Sequence, residues 1–156
     1  MRTVRSCRKT GSSSSRINSA PYEQAWAAPR TLNPDKMAQG IKTATFETFT
    51  DKHVLTDGRR AIEIYPIAGS RHNDAYAMVY LPAEKILIEV DAWAPPAPNA
   101  PAPPSGAPPS PFAANLYDNI RRLKLDVRQI AALHGPRVAT MAELQSAVGQ
   151  RPPATN

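Results

Sequence analysis

The stretch Ala75–Asp91, AYAMVYLPAEKILIEVD, decides the fold class. Its first half alternates: Tyr76, Met78 and Tyr80 fall on one face of a strand over Ala75–Leu81, where core or half-buried packing suits both tyrosines. Pro82-Ala83-Glu84-Lys85 then supplies a four-residue hairpin loop. Ile86–Val90 (ILIEV) is nearly continuous in apolar residues, which predicts a strand covered on both faces. Asp91 follows at once.

Upstream, Arg60–Ile67 reads as a strand with Ile62, Ile64 and Pro66 on one side. A short strand His53–Thr56 precedes it across Asp57-Gly58, residues that tolerate a tight hairpin turn. Thr43–Thr50 (TATFETFT) is β-branched and aromatic and predicts an edge strand. Tyr22–Ala28 predicts one short helix, ended by Pro29, and Asn33-Pro34-Asp35 a turn or helix start. Gly69–Asp74 is a polar loop.

Downstream, nine of the seventeen prolines fall between Pro95 and Pro111. Such a run fixes φ and removes donors, so it predicts an extended surface loop, a spacer or lid beginning four residues after Asp91. Its PxxP spacing also suits SH3-like partners. Phe112–Leu125 then places Leu116, Ile120 and Leu123 on one helical face, with basic residues near the C-terminus, where they complement the helix dipole. Val127–Leu133 predicts a strand broken by His134-Gly135-Pro136. Thr140 and Glu143 form a capping box before Met141, Leu144 and Val148, and Gly149 is a natural stop. Strands followed by helix, strand and helix predict an α/β layered fold with one mixed sheet and flanking helices. The expected core includes Ile62, Ile64, Val79, Leu87, Leu116, Ile120, Leu133 and Leu144.

The chain has 156 residues and a net charge of +6. Arg2, Arg5, Arg8, Lys9 and Arg16 lie in an opening segment without acidic residues, leaving fourteen basic against thirteen acidic groups elsewhere. Residues 1–20 therefore read as a disordered basic tail, 21–150 as one near-neutral domain containing the proline-rich loop 95–111, and 151–156 as a second tail. Roughly 110 residues remain to build a core, a marginal number for one layered domain. A near-neutral domain argues against a nucleic-acid face. Cys7 stands alone, which excludes an intrachain disulfide and a cysteine-based zinc site within one chain. No run of about 18 apolar residues exists to span a membrane. The arginine- and serine-rich start fits a transit peptide by composition but has no apolar segment of a secretory signal, so a cytoplasmic location is expected.

Three reactive side chains occupy comparable places in this map. His72 lies in the loop after the strand Arg60–Ile67, Asp91 follows Ile86–Val90, and His134 follows Leu133. The C-terminal ends of strands are where α/β proteins gather ligand groups, and imidazole with carboxylate suits zinc or iron. Separations of 19 and 43 residues match no local motif, so by spacing alone these side chains serve equally well as partners in turns and loops. His53, beside Lys52 at a strand start, reads as exposed and structural.

Taken in order, GSRHND at Gly69–Asp74, AYAMVYLPAEKILIEVD, LYDNIRRLKLD and the LHG around His134 resemble successive motifs of the metallo-β-lactamase fold family, most closely bacterial members. PRTLNPD and VLTDGRRAIEI extend the resemblance upstream, so that it covers about four-fifths of the chain. It implies a partial αββα sandwich and a metallo-hydrolase that uses a metal-activated water on a small-molecule ester, thioester, amide or phosphoester. It also implies roles: His72 as a ligand of the first zinc (or iron) site, Asp91 as the carboxylate bridging two ions, and His134 as the terminal ligand of the second. The family's H-x-H-x-D-H motif is absent. The resemblance therefore implies a truncated, weakly active or inactive chain with one apolar sheet face unpartnered. The alternative is a non-catalytic interaction protein that uses that face and the proline-rich loop to bind a protein completing the fold.

Overall fold

A computed structural model describes residues 20–28, 46–101, 104 and 107–149. Both expected tails, the Asn33-Pro34-Asp35 turn, PRTLNPD and the first three residues of the Thr43–Thr50 strand lie outside the described residues (the first tail except Ala20).

The described chain builds one mixed six-stranded sheet in sequence order. The strands are β1 (His53–Thr56), β2 (Ala61–Pro66), β3 (Ala77–Leu81), β4 (Ile86–Glu89), β5 (Gln129–Ala132) and β6 (Val138–Thr140), and the helices are α1 (Ala20–Ala27), α2 (Pro111–Arg122) and α3 (Met141–Ala147). β1 to β4 form an antiparallel meander, β5 lies parallel to β4, and β6 returns antiparallel to β5. Parallel neighbours need a crossover, and the proline-rich segment with α2 supplies it.

Burial alternates along β3 and β4, as strand geometry requires. Met78, Tyr80, Leu87, Ile130 and Ala139 face one side and form a single core with Leu116 and Ile120 of α2 and Leu144 of α3. That is the expected core in part. Leu87, Leu116, Ile120 and Leu144 are buried, whereas Ile62 and Leu133 are 38% and 63% exposed and Ile64 and Val79 are half-buried. The reason is register: residues two apart share a face, so in β2 it is Tyr65 that faces the helices, and Ile62 and Ile64 alternate outward or lie on the uncovered side. Among the described residues the ILIEV strand is likewise fully covered on one face, with Ile86 and Ile88 half-buried on the other.

Residues 46–50 do not form the expected strand. Phe46 packs edge-on to Trp26, with ring centroids 6.4 Å apart, and Phe49 stacks on His53 at 5.6 Å. That stacking half-buries His53, which the sequence reading left exposed. The capping box at α3 forms as expected: the Thr140 N–H donates to Glu143 Oε2 at 2.7 Å, and the Glu143 N–H donates to Thr140 Oγ1 at 3.3 Å. β6, which no sequence signal marked, leads straight into this cap.

Leu87→Ala, Leu116→Ala or Leu144→Ala should each cost about 2–5 kcal/mol in urea unfolding, because each side chain is enclosed; Ile62→Ala should cost under about 1 kcal/mol. A pH effect also follows from α3. The Arg137 guanidinium, 2.6 Å from Glu143, and the Thr140 N–H hold the Glu143 carboxyl at about 2, against its ordinary 4.5. A depressed carboxyl contributes stability above its unfolded value and loses it as the folded value is approached. Stability should therefore fall between about pH 4.5 and 2, and Glu143→Gln should flatten that fall in urea titrations at several pH values.

Candidate metal-facing site

Strand direction gathers the three candidate side chains. β2 and β4 are both antiparallel to β3, so they point the same way, and β5 is parallel to β4. The loops leaving β2, β4 and β5 therefore emerge at one edge of the sheet, and they carry His72, Asp91 and His134 respectively.

Each loop is shaped by local bonds. The first is closed by the Ile67 N–H donating to the Tyr76 carbonyl at 2.8 Å. Inside it, Gly69 adopts φ +66°, a left-handed conformation that suits glycine, the His72 N–H donates to Ser70 Oγ at 3.1 Å, and the Ala75 N–H donates to Asn73 Oδ1 at 2.9 Å. Asn119 of α2, 3% exposed, clamps the loop's base: Oδ1 accepts the Ala68 N–H at 2.9 Å while Nδ2 donates to the Ala68 carbonyl at 3.0 Å. Asn115, one turn earlier, donates to the same carbonyl at 2.9 Å. In the third loop the Gly135 N–H donates to the Ala132 carbonyl at 2.9 Å. A side chain at Gly135 would meet Pro95 Cδ at 2.8 Å, so the proline-rich segment can pack against the turn only because this residue is glycine.

The three functional groups meet at Asp91. His72 Nε2 lies 3.4 Å from Asp91 Oδ2, and His134 Nδ1 is hydrogen-bonded to Asp91 Oδ1. An acceptor carboxylate opposite Nδ1 assigns the proton to that nitrogen and leaves Nε2 of His134 as the basic one. The Asp91 N–H donates to the Tyr76 hydroxyl at 2.5 Å, and the Tyr76 ring lies 5.2 Å from the His72 ring. Burial raises the Tyr76 phenol above its ordinary range, so it stays neutral in this role. Glu89 is 1% exposed; burial pushes its carboxyl up, against the N–H groups of Ala92 and Trp93 that it accepts. His53 lies elsewhere, on Phe49.

The donor set suits zinc in kind but not in number. A tetrahedral ion with bonds of about 2.1 Å places its ligands about 3.4 Å apart, which matches the separation of His72 Nε2 from Asp91 Oδ2. That side offers two protein donors. On the other side His134 touches the carboxylate directly, leaving no room between them. Among the described residues no group of three or more His, Cys, Asp or Glu is arranged to hold a metal ion. The residues of this chain do not by themselves fit a catalytic ion. A groove of roughly 720 Å³, lined by none of His72, Asp91 and His134, runs between Trp93, Pro96, Pro109 and the α3 residues Ala142 and Ser146.

Sequence reasoning brought out the three ends of the cluster but missed Glu89, Asn115 and Asn119, and it gave Tyr76 a packing role only. The asparagine pair had a signal: two poor helix formers four apart on one face of a helix imply a polar task. Glu89 had one too, as the sole charge in ILIEV.

No family model matches the chain, and no curated protein matches it. Among solved structures it is similar to one described as the crystal structure of DIM-1 metallo-beta-lactamase, with 19% identity and a TM-score of 0.43. The match covers 64% of this chain and 44% of that one, so this chain spans less than half the length of the structure it matches. Among the described residues no helix is long and apolar enough to cross a membrane.

Proposed function

We propose that the chain carries one half of a two-metal hydrolase site of the metallo-β-lactamase type. The observation that supports this is the division of Asp91: its two oxygens face two different imidazoles, His72 across a gap that fits an ion and His134 by a direct contact that an ion would have to open. In this reading His72 serves one ion, His134 the other, and Asp91 both. The remaining ligands come from a complementary unit. Zinc in the completed site would supply an acidified water for attack on an ester, thioester, amide or phosphoester. The chain's own residues hold the carboxylate between the imidazoles, and the proline-walled groove offers an apolar wall for a small-molecule substrate.

The described chain alone should bind zinc with a free energy well short of the roughly 10–16 kcal/mol of a closed four-ligand site, and should hydrolyse little. Equilibrium dialysis with zinc, run beside generic ester and thioester assays, measures both. The weak binding should vanish in Asp91→Ala. Tight stoichiometric zinc with turnover abolished by His134→Ala would show instead that the site is complete on this chain. Zinc retention by Asp91→Ala would remove the site from consideration.

The exposed sheet face supports a second reading, a non-catalytic interaction protein. Leu55, Ile62 and Val138, on the side away from α2 and α3, are 40%, 38% and 54% exposed, and the half-buried Val79 and Ile88 lie between them. Apolar patches of this kind mark binding surfaces. Under this reading Ile62→Lys abolishes partner binding, while Asp91→Ala leaves it unchanged in the same pull-down and sedimentation assays.

A further inference from the structure

Where β4 ends, three consecutive backbone donors leave the sheet, and each is taken by a side chain. The Asp91 N–H donates to the Tyr76 hydroxyl at 2.5 Å, and the Ala92 and Trp93 N–H groups donate to Glu89 Oε2 at 2.7 and 3.2 Å. Glu89 lies on the helix-covered side of β4, two residues after the fully buried Leu87. A carboxylate at 1% exposure is costly there, and an apolar side chain of similar size would pack the same volume without that cost. Its second oxygen, Oε1, has no hydrogen-bond partner among the described residues. The carboxylate is therefore badly placed as a core residue and well placed as an acceptor for the turn. Its backbone carbonyl also accepts the Leu133 N–H at 2.9 Å, fixing the residue before His134. One residue thus touches both chain segments that meet at the Asp91–His134 hydrogen bond.

We infer that Glu89 is a positioning residue of the His72–Asp91–His134 cluster, folding the turn after β4 so that the Asp91 carboxylate is presented to the two imidazoles. The inference rests on the reading of Asp91 as the centre of the site. Glu89 itself touches neither imidazole. It acts through the Ala92 and Trp93 amides, which set the path of the backbone leaving Asp91, and through Leu133 on the neighbouring strand. Tyr76 holds the remaining amide and, through its ring, the His72 side. Glu89, Ala92 and Trp93 are buried while His72, Asp91 and His134 are exposed, the arrangement expected where geometry must be kept at a wet surface.

The test uses the full chain, metal-free and ¹⁵N-labelled, with three readouts: the His134 imidazole nitrogen signals, hydrogen exchange at the Ala92 and Trp93 amides, and urea unfolding. Glu89→Met, whose apolar side chain fills the same volume, should still unfold cooperatively. Exchange at the two amides should nonetheless rise about tenfold, the effect of losing one hydrogen bond of ordinary strength. The His134 Nδ1 signal should move to its position in Asp91→Ala, where the carboxylate is gone. Glu89→Gln, whose amide oxygen accepts the same two bonds, should restore the parent signals. An unchanged His134 signal and unchanged amides in Glu89→Met would overturn the inference, as would a folded Glu89→Gln that behaves like the methionine variant. If Glu89→Met does not unfold cooperatively, the glutamine variant decides by the same criterion. None of these readouts uses metal, so a failure of zinc binding counts against the proposed function and leaves this inference standing.

Discussion

A parallel pair of strands inside an otherwise antiparallel sheet constrains everything else in this protein. β4 cannot reach a parallel β5 by a tight turn; the chain must travel back along the sheet before starting again. The proline-rich segment and α2 make that journey, and α2 brings Leu116 and Ile120 into one core with Met78, Leu87 and Ile130. Two consequences follow together. One face of the sheet acquires a helical layer and with it the core. The ends of β4 and β5 come to lie side by side, which sets His134 against Asp91. Without the crossover neither the core nor the cluster exists.

The same helix tunes the third member of the cluster. Asn119 is buried in α2 beside Ile120, and its amide satisfies both the N–H and the carbonyl of Ala68 at the root of the His72 loop. A polar side chain in that layer is tolerable because its bonds are made; the Arg122 guanidinium adds one more to Asn119 Oδ1 at 2.9 Å. Packing and positioning are thus carried by neighbouring residues of one helix turn. A change that shifts α2 to repack Leu116 or Ile120 also shifts the loop that holds His72.

Much of this was legible in the sequence because its signals are local. The hairpin at Pro82–Lys85, the amphipathic stripe of α2 and the capping box at Thr140 each depend on residues within a few positions of one another, and each stands where expected. The strand-end placement of His72, Asp91 and His134 followed from the order of elements. What was not legible depends on long-range pairing. ILIEV is apolar on both sides, but composition does not reveal how many layers cover it; among the described residues Leu87 is enclosed and Ile86 and Ile88 are half-buried. In β2, Ile62 and Ile64 looked like the core stripe, yet the register with β3 assigns that task to Tyr65 opposite Met78. β6 has three residues and forms because β5 offers it an edge.

The uncovered face and the underfilled donor set bear on the same question from independent directions. The first is a matter of apolar area: Ile62, Val79, Ile88 and Val138 remain partly in water, whereas Ile64 shares a hollow with Tyr22, Phe46 and Phe49. The second is a matter of coordination: each Asp91 oxygen has one imidazole where a zinc ion takes three or four protein ligands. A complement that supplied only area, such as a helix across the sheet, would answer the first and leave the second. A complement that supplied only ligands, as a loop, would leave the face wet. A second sheet packed about 10 Å away with its strands nearly aligned would answer both, because aligned packing brings the strand ends of the two sheets to the same edge. At that edge its loops would stand within reach of Asp91, on the side that His72 and His134 leave open. The proposed reading of this chain as half of a two-metal site would therefore make one structural demand, a second sheet over that face.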